Sequence, residues 1–118
     1  MLLNLDDREM PDLPHREDYE RRRQRLPESL FDRLGRFING YCDTRGQVRA
    51  GYFFSEPDFP PLYQELATAL GSEDEANLFL GQMLWEALRV GRPTERWRFV
   101  RPEGGEDHPA GMQYWREG

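Results

Sequence analysis

Hydrophobic and polar positions recur along the chain with two periods, and each period predicts one kind of element. Leu30, Phe31, Leu34, Phe37, Ile38 and Tyr41 follow helical spacing, the signature of one buried helix face. Pro27 and Glu28 mark its start, and Gly40 is its expected C-terminal cap. Gln47 to Tyr52 alternates polar with small or apolar residues, the period of a strand. Phe53 and Phe54 extend that strand until Pro57, Pro60 and Pro61 end it. Leu62, Tyr63, Leu66, Ala67 and Leu70 then predict a shorter helix, stopped at Gly71.

Ser72-Glu73-Asp74-Glu75 is the clearest local signal. Ser72 can cap, Glu75 can reach back, and three acids sit at the positive end of the helix dipole. The helix is expected from about residue 73 to 90, with Ala76, Phe79, Leu80, Met83, Leu84, Ala87 and Leu88 as its main stripe. Gly91 and Pro93 close it. Arg96-Trp97-Arg98-Phe99 alternates strictly, and Met112 to Arg116 can return as its hairpin partner. The Gly- and Pro-rich stretch from Pro102 to Gly111 is the loop between them.

Residues 1–25 read differently. Pro11 and Pro14 exclude a helix around them. Glu17/Arg21 and Asp18/Arg22 are spaced to support one after His15. That helix has almost no apolar face, so residues 1–25 are expected to form a polar arm, extended or loosely helical. Residues 26–118 are expected to form a single α+β domain. It has three main helices and a small antiparallel sheet in the order helix, strand, helix, helix, hairpin. Over residues 27 to 118 this order resembles that of a winged-helix domain. The resemblance rests on topology and implies no function by itself. The expected core is Leu30, Phe31, Leu34, Phe37, Ile38, Leu62, Leu66, Leu70, Phe79, Leu80, Met83, Leu84, Leu88, Trp97 and Phe99.

The 118 residues allow one domain. The net charge is -6, and all 16 cations are Arg. We read the absence of Lys as the codon bias of a GC-rich, bacterial genome. It excludes a Schiff-base lysine, a Walker-A lysine and a Ser-Lys dyad. The lone cysteine, Cys42, excludes an internal disulfide and fits a reducing, cytoplasmic compartment. No stretch is apolar enough for a membrane span or a signal peptide.

Candidate chemistry is sparse. His15 and His108 lie far apart in sequence, and neither is near Cys42. No serine sits in a nucleophile elbow. Glu106-Asp107-His108 lacks metal-site spacing. The expectation is therefore no catalytic residue, no metal and no cofactor. Two sets of residues stand out for binding. Leu78, Gln82, Trp85 and Arg89 form a second line on the long helix. With Trp115 and Arg116 they supply residue types enriched at protein interfaces. If that helix is instead central, Trp85 packs against the hairpin. The other set is cationic: Arg21, Arg22, Arg23 and Arg25 in the arm, and Arg96, Arg98 and Arg101 on the hairpin. Arm and wing together could hold a phosphate backbone, whereas Glu73, Asp74 and Glu75 give the recognition-position helix the wrong sign.

The expected function is a small, non-enzymatic, cytosolic interaction module: an adaptor, inhibitor or antitoxin-like binder docking on a partner protein, which charge would favour being basic. A homodimer is compatible with the free strand edges. The alternative is a winged-helix-like nucleic-acid-binding regulator using the Arg-rich arm and the C-terminal hairpin.

Overall fold

Two consecutive leucines at the start of the chain set one edge of the sheet. Leu2 and Leu3 form β1 (Leu2–Leu3) and are both buried, as a strand covered on both faces must be apolar throughout. The elements that follow are α1 (Arg16–Gln24), α2 (Glu28–Thr44), β2 (Gln47–Val48), a 3-10 helix (Ala50–Ser55), α3 (Phe59–Leu70), α4 (Glu73–Arg89), β3 (Arg96–Val100) and β4 (Gln113–Glu117). The structure, a computed structural model, describes residues 1–100 and 111–117. The expected loop from Pro102 to Gly111 lies almost wholly outside the described residues.

The fold is α+β. The sheet order is β1-β3-β4-β2. The hairpin forms as expected, with Phe99 opposite Tyr114 and Trp97 opposite Arg116. The sheet is mixed rather than antiparallel, because β1 pairs parallel with β3. The chain also adds β1, α1 and the 3-10 helix to the elements expected from a winged-helix order.

Helix α4 is central, meeting α1, α2, α3, the 3-10 helix and β1. Its start follows the sequence signal: Ser72 Oγ accepts from the Glu75 amide at 3.1 Å. The preceding Gly71 has φ 87, a left-handed conformation that favours glycine. At the far end, the Met1 nitrogen donates to the Leu88 carbonyl at 2.9 Å, satisfying one of the last carbonyls of the helix.

Three further expectations are corrected. First, the strand from Gln47 stops at Val48, and Ala50–Ser55 coils into a 3-10 helix. The amide of Tyr52 bonds to the Arg49 carbonyl at 2.9 Å, and that of Glu56 to Phe53 at 3.0 Å. This turn buries Phe53 completely among Phe37, Tyr41 and Phe59. Second, Gly40 does not cap α2, which runs on to Thr44. Burying Tyr41 and Cys42 outweighs the roughly 1 kcal/mol that an internal glycine costs. Third, residues 1–25 are not a loose polar arm but are packed into the fold. Residues 16–24 form a regular helix, and Leu2, Leu13 and Tyr19 belong to the core. Tyr19 stacks on Phe79 with ring centroids 5.1 Å apart. The anchoring leucines, Leu2, Leu3 and Leu13, stand at no helical period, and the anchors of α1, Tyr19 and Arg22, are aromatic and polar, so an apolar periodicity registers neither set.

Of the expected core, Phe31, Phe37 and Leu62 are only partly buried. Phe59, Trp85 and Tyr114 join it. Because Phe53 is enclosed by other rings, Phe53→Ala should destabilise the fold by about 3–5 kcal/mol. Urea unfolding monitored by circular dichroism measures this.

Candidate interaction site

Pro11 to Pro14 is a Pro-containing stretch outside helix and strand, with a bend at Asp12 and a turn at Pro14 and His15, so its carbonyls need partners from elsewhere in the fold. Helix α4 supplies them. Trp85 Nε1–H donates to the Asp12 carbonyl at 3.1 Å. Gln82 Nε2 donates to the carbonyls of Pro14 at 3.2 Å and His15 at 3.0 Å. Arg89 Nη1 donates to the Pro11 carbonyl at 3.1 Å. Leu13 turns into the core. His15 then takes a left-handed backbone (φ 58), which is uncommon for a residue with a side chain. This turn takes the chain from the Pro-containing stretch into α1.

Helix α1 continues the contact. Arg22 Nη1 donates to Gln82 Oε1 at 3.0 Å, and Arg22 Nε to Glu75 Oε2 at 2.5 Å. Arg16 Nη2 lies 3.1 Å from Glu86 Oε2. Gln82, Trp85 and Arg89 of the second line on α4 are therefore engaged by the chain's own residues 11–22. Gln82 is 0% exposed and Trp85 3%, so neither is available as a partner-binding surface in this fold. Leu78 and Arg89 are half-buried. The indole of Trp85 packs 4.8 Å from Phe99, the position expected of a central helix.

Trp115 and Arg116 are not brought into that line. Trp115 is half-buried on β4, opposite Gln47 and Arg98. Arg116 is exposed, with its guanidinium 5.8 Å from the Trp97 ring centroid.

Most of the candidate cations already have anionic or aromatic partners. Arg21 pairs with Asp18 at 2.5 Å. Arg23 lies over Phe31 at 4.1 Å. Arg96 pairs with Glu117 at 3.2 Å. Arg98 binds Glu117 and Asp7, and also the Asn4 carbonyl at 2.7 Å. Arg25 is exposed. Arg101 lies outside the described residues. Local neutralisation weakens the field that a phosphate backbone would sense.

Among the described residues, two groups with reactive side chains are buried. Cys42 is fully buried on α2, and burial pushes its thiol up to about 12. It is protonated at neutral pH, when the nucleophile would be the thiolate. The Tyr114 phenol is buried without a hydrogen-bond partner among the described residues, and burial raises its pKa. His15 is exposed, and His108 lies outside the described residues. Among the described residues there is no cluster that could hold a metal, and no helix is long and apolar enough to cross a membrane.

A cleft of about 580 Å³ opens between α2 and the end of α4. Phe31, Ile38 and Met83 are among its apolar lining, and Asp43, Glu86, Arg92 and Glu95 among its charged lining. Those charges are tied to protein partners. Arg92 binds Asp43, and its Nε lies 2.8 Å from Glu95. Glu86 receives Arg89 at 2.6 Å. Hydrogen bonds from Arg92, and secondarily from Trp97, hold the Glu95 carboxyl below its ordinary 4.5.

The surface that sequence reasoning missed lies on the 3-10 helix. Phe54 is 46% exposed and Tyr52 38%. The Phe54 ring stands edge-on to Phe59 at 5.0 Å and to Tyr63 at 4.8 Å. Tyr63 is held by its hydroxyl, 2.8 Å from Asn77 Oδ1. Arg49 lies 5.8 Å from the Tyr52 ring centroid, and Arg45 pairs with Glu56 at 2.6 Å. The available signal was Tyr52-Phe53-Phe54 itself: three consecutive aromatics cannot all face one core from a short turn.

Trp85→Phe keeps a ring but loses the donor to Asp12, and should lower unfolding free energy by about 1–2 kcal/mol. The folded pKa of Glu95 is depressed, so its ionised form stabilises the fold above pH 4.5. That contribution is lost as pH falls through the folded value. Glu95→Gln should be less stable at neutral pH and show a shallower loss of stability on acidification below 4.5, as read by urea unfolding across pH. No family model, curated protein or solved structure matches the chain.

Proposed function

We propose that the protein is a non-enzymatic interaction module that docks on a partner protein through the exposed aromatics of the 3-10 helix. One observation carries this reading: Tyr52 and Phe54 are both more than a third exposed on a turn whose middle residue, Phe53, is locked in the core. Exposed rings fixed in place lose little entropy on binding. Aromatics and Arg are also the residue types enriched in the centres of protein interfaces. Arg49 lies 5.8 Å from the Tyr52 ring centroid at this surface. The net charge of -6 favours a basic partner, with charge steering the encounter. The buried, protonated thiol of Cys42 is compatible with a reducing, cytoplasmic compartment. An adaptor, an inhibitor or an antitoxin-like binder would each work this way.

The test is affinity capture of the tagged chain, with and without nuclease, for wild type and for Tyr52→Ser/Phe54→Ser. The wild type should retain one stoichiometric protein after nuclease. The double variant should stay folded and bind that protein at least ~30-fold more weakly, the loss expected of an aromatic hot spot. Undiminished binding by the folded double variant would exclude this surface. A retained set that disappears with nuclease would instead favour a nucleic-acid regulator, whose affinity would fall steeply with salt.

A further inference from the structure

Helix α4 carries a row built to read one stretch of chain. Trp85, Gln82 and Arg89 bond to the carbonyls of Pro11, Asp12, Pro14 and His15. The same stretch then places Tyr19 on Phe79, Arg16 on Glu86, and Arg22 on Glu75 and Gln82. Few sequences would satisfy all of these partners, but a second copy of the chain carries the required sequence by identity. We propose that residues 1–25 exchange between two copies of the chain, so that each α4 row is filled by the other copy's segment.

The connection through which the segment would swing is short. Only Arg25, Leu26 and Pro27 separate α1 from α2. Helix α1 rests mainly on α4, while Arg23 touches α2 through the Phe31 ring. At the front of the segment, β1 holds the sheet by two residues paired with β3, and it can pair identically with the β3 of another copy. Exchange therefore preserves the contacts of the segment and changes the link alone, which makes it a low-cost route to a dimer.

Pro27 keeps the link bent. Its backbone is extended, with ψ 141, and it has no N–H to continue the α1 ladder to Arg23. The Leu26 amide takes the Arg23 carbonyl instead, at 3.1 Å, and the Pro27 carbonyl opens α2 by accepting from Leu30 and Phe31. With a helix-forming residue at this position, residues 16–44 could run as one helix. That helix would carry α1 away from its own α4 and toward that of another copy. Pro27 thus favours the closed monomer, in which the tethered segment competes at a high effective concentration. This dimer forms without the aromatic surface of the 3-10 helix, which remains free for a partner.

The oligomeric state of the full chain tests the proposal. Light scattering coupled to size exclusion should show a dimer share rising between ~10 µM and ~1 mM, approaching the effective concentration of a short tether. Pro27→Ala should lower the midpoint at least ~tenfold, whereas Pro27→Gly, a poor helix former, should shift it far less. Charge reversal separates exchange from side-by-side association. Arg16→Glu and Glu86→Arg each place like charges within their own closed chain. Mixed, they restore opposite charges at both sites only if the segments cross between copies. Native mass spectrometry should then show heterodimers above the statistical half share. Monomers throughout for both wild type and Pro27→Ala, or heterodimers at only the statistical share, would overturn the proposal.

Discussion

The structure depends on the hydrogen bonds between α4 and the carbonyls of Pro11 to His15. Gln82 shows why. It sits at 0% exposure in the middle of the central helix, where an unsatisfied amide would cost about 1–3 kcal/mol. Its oxygen accepts from Arg22, and its nitrogen donates to Pro14 and His15. Without residues 11–22, Gln82, Trp85 and Arg22 would lose these partners together. The same bonds satisfy the carbonyls of a stretch that its own prolines keep out of a helix. Each side completes the other, so the N-terminal segment belongs to the core.

This arrangement also accounts for the distribution of charge. The chain is acidic, yet its arginines are spread through the fold as local ties. Arg16 and Arg22 join α1 to α4, Arg33 meets Glu65 on α3 at 2.8 Å, and Arg98 links the sheet to Asp7. Exposed pairs of this kind contribute little stability each, about 0–1 kcal/mol. The nearly buried Arg22 differs, because removing its partners would strand a charge away from water. Guanidinium geometry suits these roles, since one side chain can serve a carboxylate and an amide at once.

A second organising group is the ring cluster of Phe37, Tyr41, Phe53, Phe59 and Tyr63. It joins α2 and α3 to the 3-10 helix and leaves Phe54 at its outer edge. The docking surface proposed here is the exposed continuation of a packed core. The helix line that looked like an interface is filled from within the same chain.

Local chemistry determined much of this protein. The helical stripes of Leu30 to Tyr41 and Ala76 to Leu88, the Ser72 cap, the Gly71 stop and the alternating hairpin strands were all legible, because each depends on a few neighbouring residues. A helix-like spacing of Leu78, Gln82, Trp85 and Arg89 was legible too, but what covers it was not. Leu2 and Leu3 bear no mark of the parallel pairing that brings them beside Trp97 and Arg98. Residues 11–22 look polar because Arg22, Tyr19 and the backbone carbonyls carry their attachment, and a period of apolar side chains does not record such groups. Tertiary structure also turned Phe53 inward and Phe54 outward, since only the rings of α2 and α3 offered one of them a place. The sequence by itself determined α2, α3, α4 and the hairpin strands with their apolar faces; only the tertiary structure decided which remaining face the chain itself would cover, because that depends on polar contacts between residues more than 50 positions apart.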